Sequence, residues 1–449
     1  SKQYCGHKTN AMISKVLVTP FQKFDKAQSL SGILLLGATL LAVFLANTPL
    51  DGFYEGLRQA RIVIGIHSIE LSKPLILWVN DGLMAIFFFL IGLEIKRELM
   101  IGELKSPGKA ALPLIAAVGG MVVPVSLYLL LNRNPQASNG WGIPMATDIA
   151  FSLAILKLLG KRVPIGLKVF LTAFAIIDDI GAVLVIALFY SSSIDWMKIV
   201  YAVIPLSLLF FLAYRNYFPK YFHLLCGIVI WYLFLKSGIH PTIAGVLLAL
   251  TVPISQKTDI RTYAGKLCEI ADDIRDTRTS DQPILSAEQI EHIDDLEEWT
   301  GKVQSPLQHL EHILQNWVAW FIMPVFAFFN AGVVISMTVQ PDAGLITSLA
   351  LSMFFGKSIG VTIFSLAAVR LGLARLPEGV SASQIVGVSL LAGVGFTMSI
   401  FIDNLAFADT PRLLESSKIG ILAGSLVSGI AGYLVLRNSR GAAEKKRRE

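Results

Sequence analysis

Charge is scarce in this 449-residue chain, in which Asp, Glu, Lys and Arg make up only 16% of the residues. Soluble domains carry about a quarter charged residues, so the composition excludes an ordinary soluble globular protein. Cysteine is scarce as well, because Cys5, Cys226 and Cys268 lie far apart and form no CxxC pair. That spacing indicates neither a disulfide framework nor a zinc site. The sequence has no glycine-rich phosphate-binding loop, which argues against ATP-driven pumping.

Apolar residues make up 54% of the chain and are concentrated in long blocks. Gly32–Ala46 and Pro113–Leu131 are each about long enough to cross the roughly 30 Å hydrocarbon layer of a bilayer. The apolar runs and their breaks predict an all-α polytopic membrane protein with about twelve transmembrane helices. These crossings are expected to begin near Leu30, Pro74, Ala111, Gly142, Pro164, Met197, Phe222, Thr242, Ile313, Leu345, Ser383 and Glu415.

Basic residues are distributed unevenly between alternate connections. The richer set comprises the tail Arg440–Glu449 with Lys96, Arg97, Lys105, Lys109, Lys157, Lys161, Arg162, Arg215, Lys220, Arg370 and Arg375. The positive-inside rule places this set, and both termini, in the cytoplasm. We therefore expect a cytoplasmic segment (1–29), eight helices (30–254), an acidic cytoplasmic loop (255–310), four helices (311–437) and a basic cytoplasmic tail (438–449). The tail is interpreted as a lipid-headgroup anchor rather than a nucleic-acid site.

One connection on the outer side has an alternating pattern. RIVIGIHSIEL (Arg61–Leu71) alternates apolar and polar residues around Gly65. This pattern predicts a small external β-hairpin within residues 57–73, although a capped loop is an equal alternative. The exposed edges of a hairpin invite pairing with a second copy of the chain, so a homodimer is expected.

The acidic connection from about Ser255 to Gln308 is too charged to enter the bilayer. Ser286 and Gln289 form a plausible capping box at the start of a helix. We interpret this segment as a solvated helical excursion rather than a catalytic element.

Two adjacent aspartates interrupt an otherwise apolar run. Asp178 and Asp179 lie about ten residues from either end of the apolar run Val169–Phe189, in the stretch IIDDIG. An ionised carboxylate at such depth costs about 2.5–3.5 kcal/mol, so the pair costs on the order of 6 kcal/mol. A cost of that size indicates a functional ion- or proton-binding site more than a structural hydrogen-bonded pair.

Two further spans have interruptions at corresponding places in the two halves of the chain. WGIPMATDIAF contains Pro144, Thr147 and Asp148, and LLAGVGFTMSIF contains glycines and a threonine, namely Gly393, Gly395 and Thr397. Such paired interruptions predict inverted-topology repeats with two discontinuous helices that cross near the membrane midplane. Asp148 is then placed to offset the positive N-terminal ends of the broken helices.

Lys357, in MFFGKSIGVTIF, is a basic residue within a predicted membrane span. A buried lysine needs a partner, and either Asp178 or Asp179 is the natural candidate. A structural bridge and a functional pair remain open alternatives.

Together these motifs resemble the NhaA family of sodium/proton antiporters. The resemblance covers about Leu30 to Arg437 and rests on motifs that occur in the family's order. They are NDGLMAIFFFLIGLEIKRELM (Asn80–Met100), MATDIAF, IIDDIGA, LKSGIHPTIAGV (Leu235–Val246), LEHIL, PVFAFFNAGV, GKSIG and GVGFTMSIFI. The acidic segment before Glu311 is longer than the short connection usual in the family.

The resemblance implies roles for particular residues. It implies that Asp178 and Asp179 bind Na⁺ or protons, with Asp148, Thr147 and Lys357 supporting them. It further implies a pH-sensing or ion-entrance role for Glu94, Arg97, Glu98, Glu311, His312, His240 and Asp81. The helical spacing of Glu94, Arg97 and Glu98 also fits a plain surface salt-bridge ladder, and that alternative stays open.

The activity implied is secondary transport rather than catalysis. It is electrogenic, pH-activated export of Na⁺, and of Li⁺, in exchange for H⁺, serving sodium and pH homeostasis at a bacterial inner membrane. No cofactor is expected. A sodium-coupled symporter for an organic anion and an ion channel are the alternatives. The first would need a roomy polar pocket, and the second a continuous polar pore face.

Overall fold

The computed structural model describes residues 31–65, 71–191, 194–256, 258–276, 286–334 and 341–439. The predicted N-terminal segment (1–29) and nearly all of the basic tail lie outside these ranges. Within them, a two-stranded sheet and many helices are arranged along the chain. The strands are β1 (Arg61–Ile64) and β2 (Leu71–Pro74). The helices are α1 (Ser31–Ala46), α2 (Asp51–Gln59), α3 (Leu75–Met100), α4 (Pro107–Leu131), α5 (Pro135–Met145), α6 (Ile149–Leu158), α7 (Ile165–Phe189), α8 (Trp196–Tyr214), α9 (Lys220–Ser237), α10 (Thr242–Leu250), α11 (Ile260–Asp276), α12 (Ala287–Val303), α13 (Pro306–Asn330), α14 (Ala343–Arg370), α15 (Ala382–Ala392), α16 (Phe396–Ala406) and α17 (Pro411–Asn438).

Among the described residues, seven helices are long and apolar enough to cross a bilayer, namely α3, α4, α7, α8, α13, α14 and α17. Three bent pairs add up to three more spans, with breaks of 114° between α1 and α2, 46° between α5 and α6, and 41° between α15 and α16. Helices α9 and α10 lie where the seventh and eighth crossings were predicted. At 9 residues, α10 is about 14 Å long, which is too short to cross alone.

Two series of helices are related by inversion. Each series consists of a long helix, a broken pair and another long helix: α4 to α7, and α14 to α17. The first members, α4 and α14, pack antiparallel, because Gly119 contacts Gly360 while Pro124 contacts Gly356. A Cβ atom on Gly119 would lie only 2.5 Å from the Gly360 carbonyl oxygen, so the two backbones approach closely. The predicted inverted arrangement is therefore present in the structure.

The predicted hairpin is confirmed. Strands β1 and β2 pair antiparallel in a register that places Arg61 opposite Pro74 and Ile64 opposite Leu71. The second strand continues three residues beyond Leu71, and the start of the predicted range belongs instead to α2. The tip, residues 66–70, lies outside the described ranges. The end of the molecule that carries β1 and β2 is called the hairpin face below, and the opposite end the loop face.

The acidic connection contains helices α11 and α12 at the loop face. The capping box is confirmed, since Ser286 Oγ accepts from the Gln289 amide at 3.2 Å and the Gln289 side chain accepts from the Ser286 amide at 2.9 Å. The Tyr263 hydroxyl lies 3.1 Å from Thr300 Oγ1 and joins the two helices. Helix α13 begins at Pro306, ahead of the predicted start near Ile313, so residues 306–310 of the predicted acidic loop are helical.

At the hairpin face, Asp342 joins elements of both series. Its carboxylate accepts from the Leu345 amide at 3.0 Å and from Asn134 at 2.8 Å, and its own amide donates to Ser416 Oγ at 3.0 Å. The Leu345 amide first, and then the Asn134 side chain, hold the pKa of Asp342 below its usual range. The carboxylate is therefore ionised at neutral pH and caps the N-terminus of α14.

Candidate functional site

The two broken pairs cross with their breaks in contact. In the first pair the break is Ala146–Asp148, and in the second it is Gly393–Gly395. The Asp148 amide donates to the Val394 carbonyl at 2.6 Å, and Thr147 Oγ1 donates to the Ala392 carbonyl at 3.0 Å. A Cβ on Gly395 would lie 2.5 Å from the Ala146 carbonyl oxygen, so only glycine permits this approach. The break contains the predicted Thr147, Asp148, Gly393 and Gly395, and Pro144 precedes it in the 3₁₀ turns of α5.

Further hydrogen bonds fix the direction of the crossing. Ser152 Oγ donates to the Leu391 carbonyl at 2.9 Å, and Ser399 Oγ donates to the Ile143 carbonyl at 2.9 Å. Residue numbers therefore rise along one pair while they fall along the other. These side-chain hydrogen bonds join the two broken pairs, and such bonds make irregular backbone tolerable inside the protein.

Asp148 caps two helices at once. Its Oδ1 accepts from the Phe151 amide at 3.2 Å, and its Oδ2 accepts from the Thr397 amide at 3.2 Å and the Thr397 hydroxyl at 2.5 Å. The carboxylate thus faces the N-terminal ends of α6 and α16, where negative charge is stabilised. The predicted role of Asp148 in offsetting these ends agrees with the geometry.

Lys357 pairs with the first aspartate of the motif. Its Nζ donates to both carboxylate oxygens of Asp178, at 2.9 and 2.8 Å, and to Thr147 Oγ1 at 2.9 Å. The lysine side chain is fully buried and the Asp178 side chain is 1% exposed. A π-helical turn, Ser352–Gly356, immediately precedes the lysine. Such turns occur frequently at functional sites.

Asp179 is arranged differently from its neighbour. Among the described residues it has no hydrogen bond or ion pair, and its carboxylate lines a cavity between the crossing and α3 and α13. Thr147, Asp148 and Thr397 line the same cavity on the crossing side. Met398 of α16 lies on the crossing side as well, and the other side is lined by Phe87, Leu90, Ile91, Glu94, Gln315, Asn316, Val318, Ala319, Trp320 and Met323. One carboxylate of the pair is therefore neutralised by a lysine, and the other is free to bind a cation or a proton.

Towards the loop face, the cavity adjoins a charged cluster. Arg97 Nη2 lies 3.0 Å from Glu98 Oε1, and Arg97 Nε lies 3.0 Å from Glu311 Oε1. Gln315 donates to Glu94 at 3.2 Å, so α3 and α13 are linked by charge and by hydrogen bonding. The predicted grouping of these acids is thus present in space, and it is more than a surface ladder on one helix. His312 is exposed and is not drawn into this cluster.

The other two predicted residues lie together near the hairpin face. Asp81 pairs with Lys73 at 2.7 Å, and His240 Nε2 lies 3.7 Å from the Asp81 carboxylate. The other ring nitrogen of His240 is 2.8 Å from Thr242 Oγ1. Asp81 belongs to a π-helical turn, Val79–Leu83. This group lies 13 residues, or about 20 Å, along α3 from Glu94.

Sequence reasoning missed two further buried ionisable residues. Asp403 of α16 is fully buried and accepts from the Ser417 hydroxyl, while Lys418 of α17 is 1% exposed. Lys418 lies in the third turn of α17. The signal that identified Asp178, a charge beside an apolar run, was present in FIDNLAF and was overlooked.

Among the described residues, no group of three or more His, Cys, Asp or Glu side chains is placed to hold a metal ion. A monovalent ion bound at Asp179 would instead draw on neutral oxygens. Thr147, Asp148 and Thr397 of the two broken pairs line the same cavity as Asp179, and hard cations favour oxygen ligands.

Comparison with known proteins agrees with this geometry. The family described as Na⁺/H⁺ antiporter 1 matches residues 22–436 of the chain. The Na⁺/H⁺ antiporter NhaA of Oleidesulfovibrio alaskensis is 47% identical over 429 residues, covering 94% of both chains. The NhaA of Rhodospirillum rubrum is 45% identical over 432 residues, covering 94% of this chain and 97% of the relative. NhaA 1 of Saccharophagus degradans is 43% identical over 435 residues, covering 96% of this chain and 93% of the relative. With buried carboxylates beside a crossing of broken helices, and a family match along nearly its whole length, the chain belongs to the Na⁺/H⁺ antiporter family.

Proposed function

We propose that this protein exchanges Na⁺ for H⁺ at Asp179, beside the crossing of the broken helices. The observation that supports this proposal most directly is the unequal treatment of two adjacent carboxylates. Asp178 is held by Lys357 at 2.8 Å, whereas Asp179 lines a cavity and has no ion pair among the described residues. A lone carboxylate in a site of low dielectric constant is occupied by either a proton or a cation, because an uncompensated charge there is costly.

The charges of the site suggest how two ions compete. With Lys357 and Asp178 both ionised, a protonated Asp179 leaves the three groups neutral in total, and an ionised Asp179 leaves one negative charge. Na⁺ restores neutrality when the proton leaves. We propose that Asp179 carries one proton and that the Asp178–Lys357 pair carries a second, so that exchange moves net charge. Exchange in vesicles that does not respond to membrane voltage would contradict this electrogenic scheme.

Proteoliposomes with a trapped pH dye test the exchange itself. Addition of Na⁺ or Li⁺ outside is expected to drive protons out of the binding sites and across the membrane, whereas K⁺ is expected to have little effect. Movement of labelled Na⁺ without any proton movement would refute the antiporter proposal, and symport or channel conduction would replace it.

We propose that the loop face lies in the cytoplasm and the hairpin face outside, at a bacterial inner membrane. Lys96, Lys105 and Lys109 lie at the loop face, and cytoplasmic connections are rich in basic residues. In this orientation the Asp179 cavity, lined by Glu94 and Gln315, is on the cytoplasmic side of the crossing. Sodium would then be taken up from the cytoplasm and released outside, which serves sodium and pH homeostasis.

We propose that the charged cluster at the loop side of the cavity takes part in the activation of exchange by pH. Arg97 is the cation shared by Glu98 and Glu311, while Glu94 and Gln315 adjoin it. For Arg97→Gln we expect exchange to begin at a higher pH, since the acids lose their counter-charge and keep protons longer. Dye assays across a pH series measure this shift, with Arg215→Gln, a basic residue outside the cluster, as a control. A profile that loses amplitude without moving along the pH axis would argue against pH sensing here.

We propose that the hairpin forms a homodimer contact. The apolar side chains Ile62, Val63 and Ile64 of β1 are 40–55% exposed, and among the described residues β1 pairs with β2 alone. An edge of this kind is suited to pairing with another copy. The double variant Ile62→Lys/Ile64→Lys is expected to be monomeric in detergent by light scattering, whereas the unmodified chain is expected to be dimeric. Equal masses for the two proteins would exclude this contact.

A further inference from the structure

Three helices close the cavity on its hairpin side. These are α3, α13 and α16. On each helix, the cavity-lining residue nearest the hairpin face is Phe87, Met323 and Met398, respectively. Phe326 of α13 and Phe401 of α16 lie about one helical turn closer to the hairpin face, on the same sides of their helices. One turn further these helices present Asn330 and Asn404. The three helices therefore form successive layers between Asp179 and the outside.

The first layer is aromatic. Phe88, Phe326 and Phe401 are no more than 1% exposed, and the ring centre of Phe401 lies 5.5 Å from that of Phe88 and 6.2 Å from that of Phe326. The three rings themselves offer no polar group to an ion, and the His240 ring lies against the layer, with its centre 5.2 Å from that of Phe401.

The second layer is a group of asparagines, here named the asparagine clasp: Asn80, Asn330 and Asn404. The amides of Asn80 and Asn330 bond reciprocally, at 3.1 and 2.8 Å. Asn404 Nδ2 donates to Asn330 Oδ1 at 3.0 Å, and Asn330 Nδ2 also donates to the Phe326 carbonyl at 2.9 Å. Asn330 is thus fully satisfied while completely buried, which is what a buried amide requires.

Of the hydrogen bonds in the asparagine clasp, the bond from Asn404 to Asn330 joins a helix of the ion-binding crossing to a helix outside it. Asn80 and Asn330 belong to α3 and α13, which lie outside the two inverted series. Asn404 belongs to α16, which packs mainly against α5 and α17 and is part of the ion-binding crossing. Apart from this bond, the Asn404 amide donates within its own helix, to the Ile400 carbonyl at 2.9 Å. The bond therefore connects the helices that carry the ion site to the helices that support them.

We propose that the asparagine clasp holds the hairpin side of the ion site closed, and that release of Na⁺ towards the hairpin face requires the Asn404–Asn330 bond to open. This inference rests on the proposed exchange at Asp179. Neutral amides suit such a role, because they can exchange their mutual hydrogen bonds for bonds to water without a charge penalty. Asn80 also lies in the π-helical turn of α3, where the regular helical hydrogen bonding is already interrupted.

The expected effect follows from the net contribution of one neutral hydrogen bond. Loss of the Asn404–Asn330 bond is expected to shift the ratio of hairpin-open to hairpin-closed molecules by about two- to tenfold. The cavity is expected to become more accessible from the hairpin face and not from the loop face. General destabilisation of the fold would instead raise its accessibility from both faces.

A sided labelling experiment measures this shift. Met398→Cys, which lines the cavity, serves as a reporter in a background with Cys5→Ser, Cys226→Ala and Cys268→Ser. The protein is reconstituted in proteoliposomes, and a membrane-impermeant methanethiosulfonate is applied to one face at a time. For Asn404→Ala, labelling from the hairpin face is expected to be about two- to tenfold faster than in the parent, with labelling from the loop face unchanged or slower.

Asn47→Ala is the matched control. Asn47 also lies near the hairpin face and donates to the Val333 carbonyl at 2.7 Å, but this bond joins α1 to the segment after α13 and does not involve α16. It is expected to leave the sidedness of labelling unchanged. If Asn404→Ala does not fold, Asn404→Ser replaces it, because a serine hydroxyl can bond within its own helix but is too short to reach Asn330.

The outcomes separate the clasp from the exchange. Equal labelling rates for Asn404→Ala and the parent, or an equal increase at both faces, would refute the clasp even if Na⁺ still drives proton movement. Absence of Na⁺-driven proton movement in the unmodified protein would refute the exchange, whatever the labelling shows. Faster labelling at the hairpin face alone supports the clasp.

Discussion

Asp179→Asn is expected to reduce Na⁺-driven proton movement by more than about 100-fold, which corresponds to about 2.7 kcal/mol. The carboxylate lines the cavity and has no counter-charge among the described residues, so it supplies the charge that holds the cation. An amide of nearly the same shape keeps an oxygen ligand but can neither carry the charge nor release a proton. The dye assay in proteoliposomes measures the loss.

The fold is expected to survive this substitution. Asp179 has no ion pair to break, and asparagine removes a buried charge rather than exposing one, so the melting temperature should be unchanged or higher. Asp195→Asn provides the matched control, since Asp195 is an exposed helix cap in which asparagine also functions. Retention of Na⁺-driven exchange by Asp179→Asn at more than a tenth of the normal rate would show that Asp179 is not the exchanging carboxylate.

Asp178→Asn should behave differently although the two residues are adjacent. It removes the partner of Lys357 and leaves a buried ammonium facing Asp179. The lysine is then expected to neutralise Asp179 in place of Na⁺. Loss of activity is therefore expected for both variants, but only Asp178→Asn is expected to lower the melting temperature.

The helical layout was largely predictable from the sequence. Apolar runs of membrane-spanning length mark most crossings, and the Gly and Pro residues at 144, 393 and 395 mark the broken pairs, because these residues interrupt helical hydrogen bonding. The capping box at Ser286 and the alternation in β1 are local patterns as well. Local patterns are set by neighbouring residues, which a sequence displays directly.

Helix ends and the shortest crossing were less predictable. Helix α13 begins at Pro306, several residues before its apolar run, because a proline at the first turn and the Ser305 cap start it in polar sequence. Helix α10 is 9 residues long although its apolar run suggested a full crossing. Its position depends on close packing with α3, where a Cβ on Gly245 would lie 2.2 Å from the Ala85 carbonyl oxygen.

Pairings between distant side chains could not be predicted from the sequence. Adjacent residues on a helix point about 100° apart, so only one of Asp178 and Asp179 can face α14, and the choice depends on the rotation of α7. The asparagine clasp has no sequence pattern, since single amides in three apolar helices meet only after packing. The burial of Asp403 and Lys418 likewise depends on how α16 and α17 pack together.

The second large effect is expected for Lys357→Met, a loss of about 3–5 kcal/mol in the free energy of unfolding. Methionine fills a similar volume but leaves Asp178 charged, fully buried and without its two bonds to the ammonium. Thr147 Oγ1 also loses a donor. Thermal unfolding in detergent, at pH 7 or above, measures the destabilisation. Lys198→Met is the control, because the Lys198–Asp195 pair is exposed and such pairs contribute little.

The double variant Lys357→Met/Asp178→Asn determines whether the cost arises from the pair. Breaking a buried ion pair is costly because one charge remains unpaired, whereas removing both charges leaves neutral groups in a packed site. The double variant is therefore expected to unfold at a higher temperature than Lys357→Met alone, and to be inactive in exchange. If the two substitutions instead lower the melting temperature additively, Lys357 and Asp178 do not act as a pair. A stable but inactive double variant would show that the pair serves transport, since the fold can do without its charges.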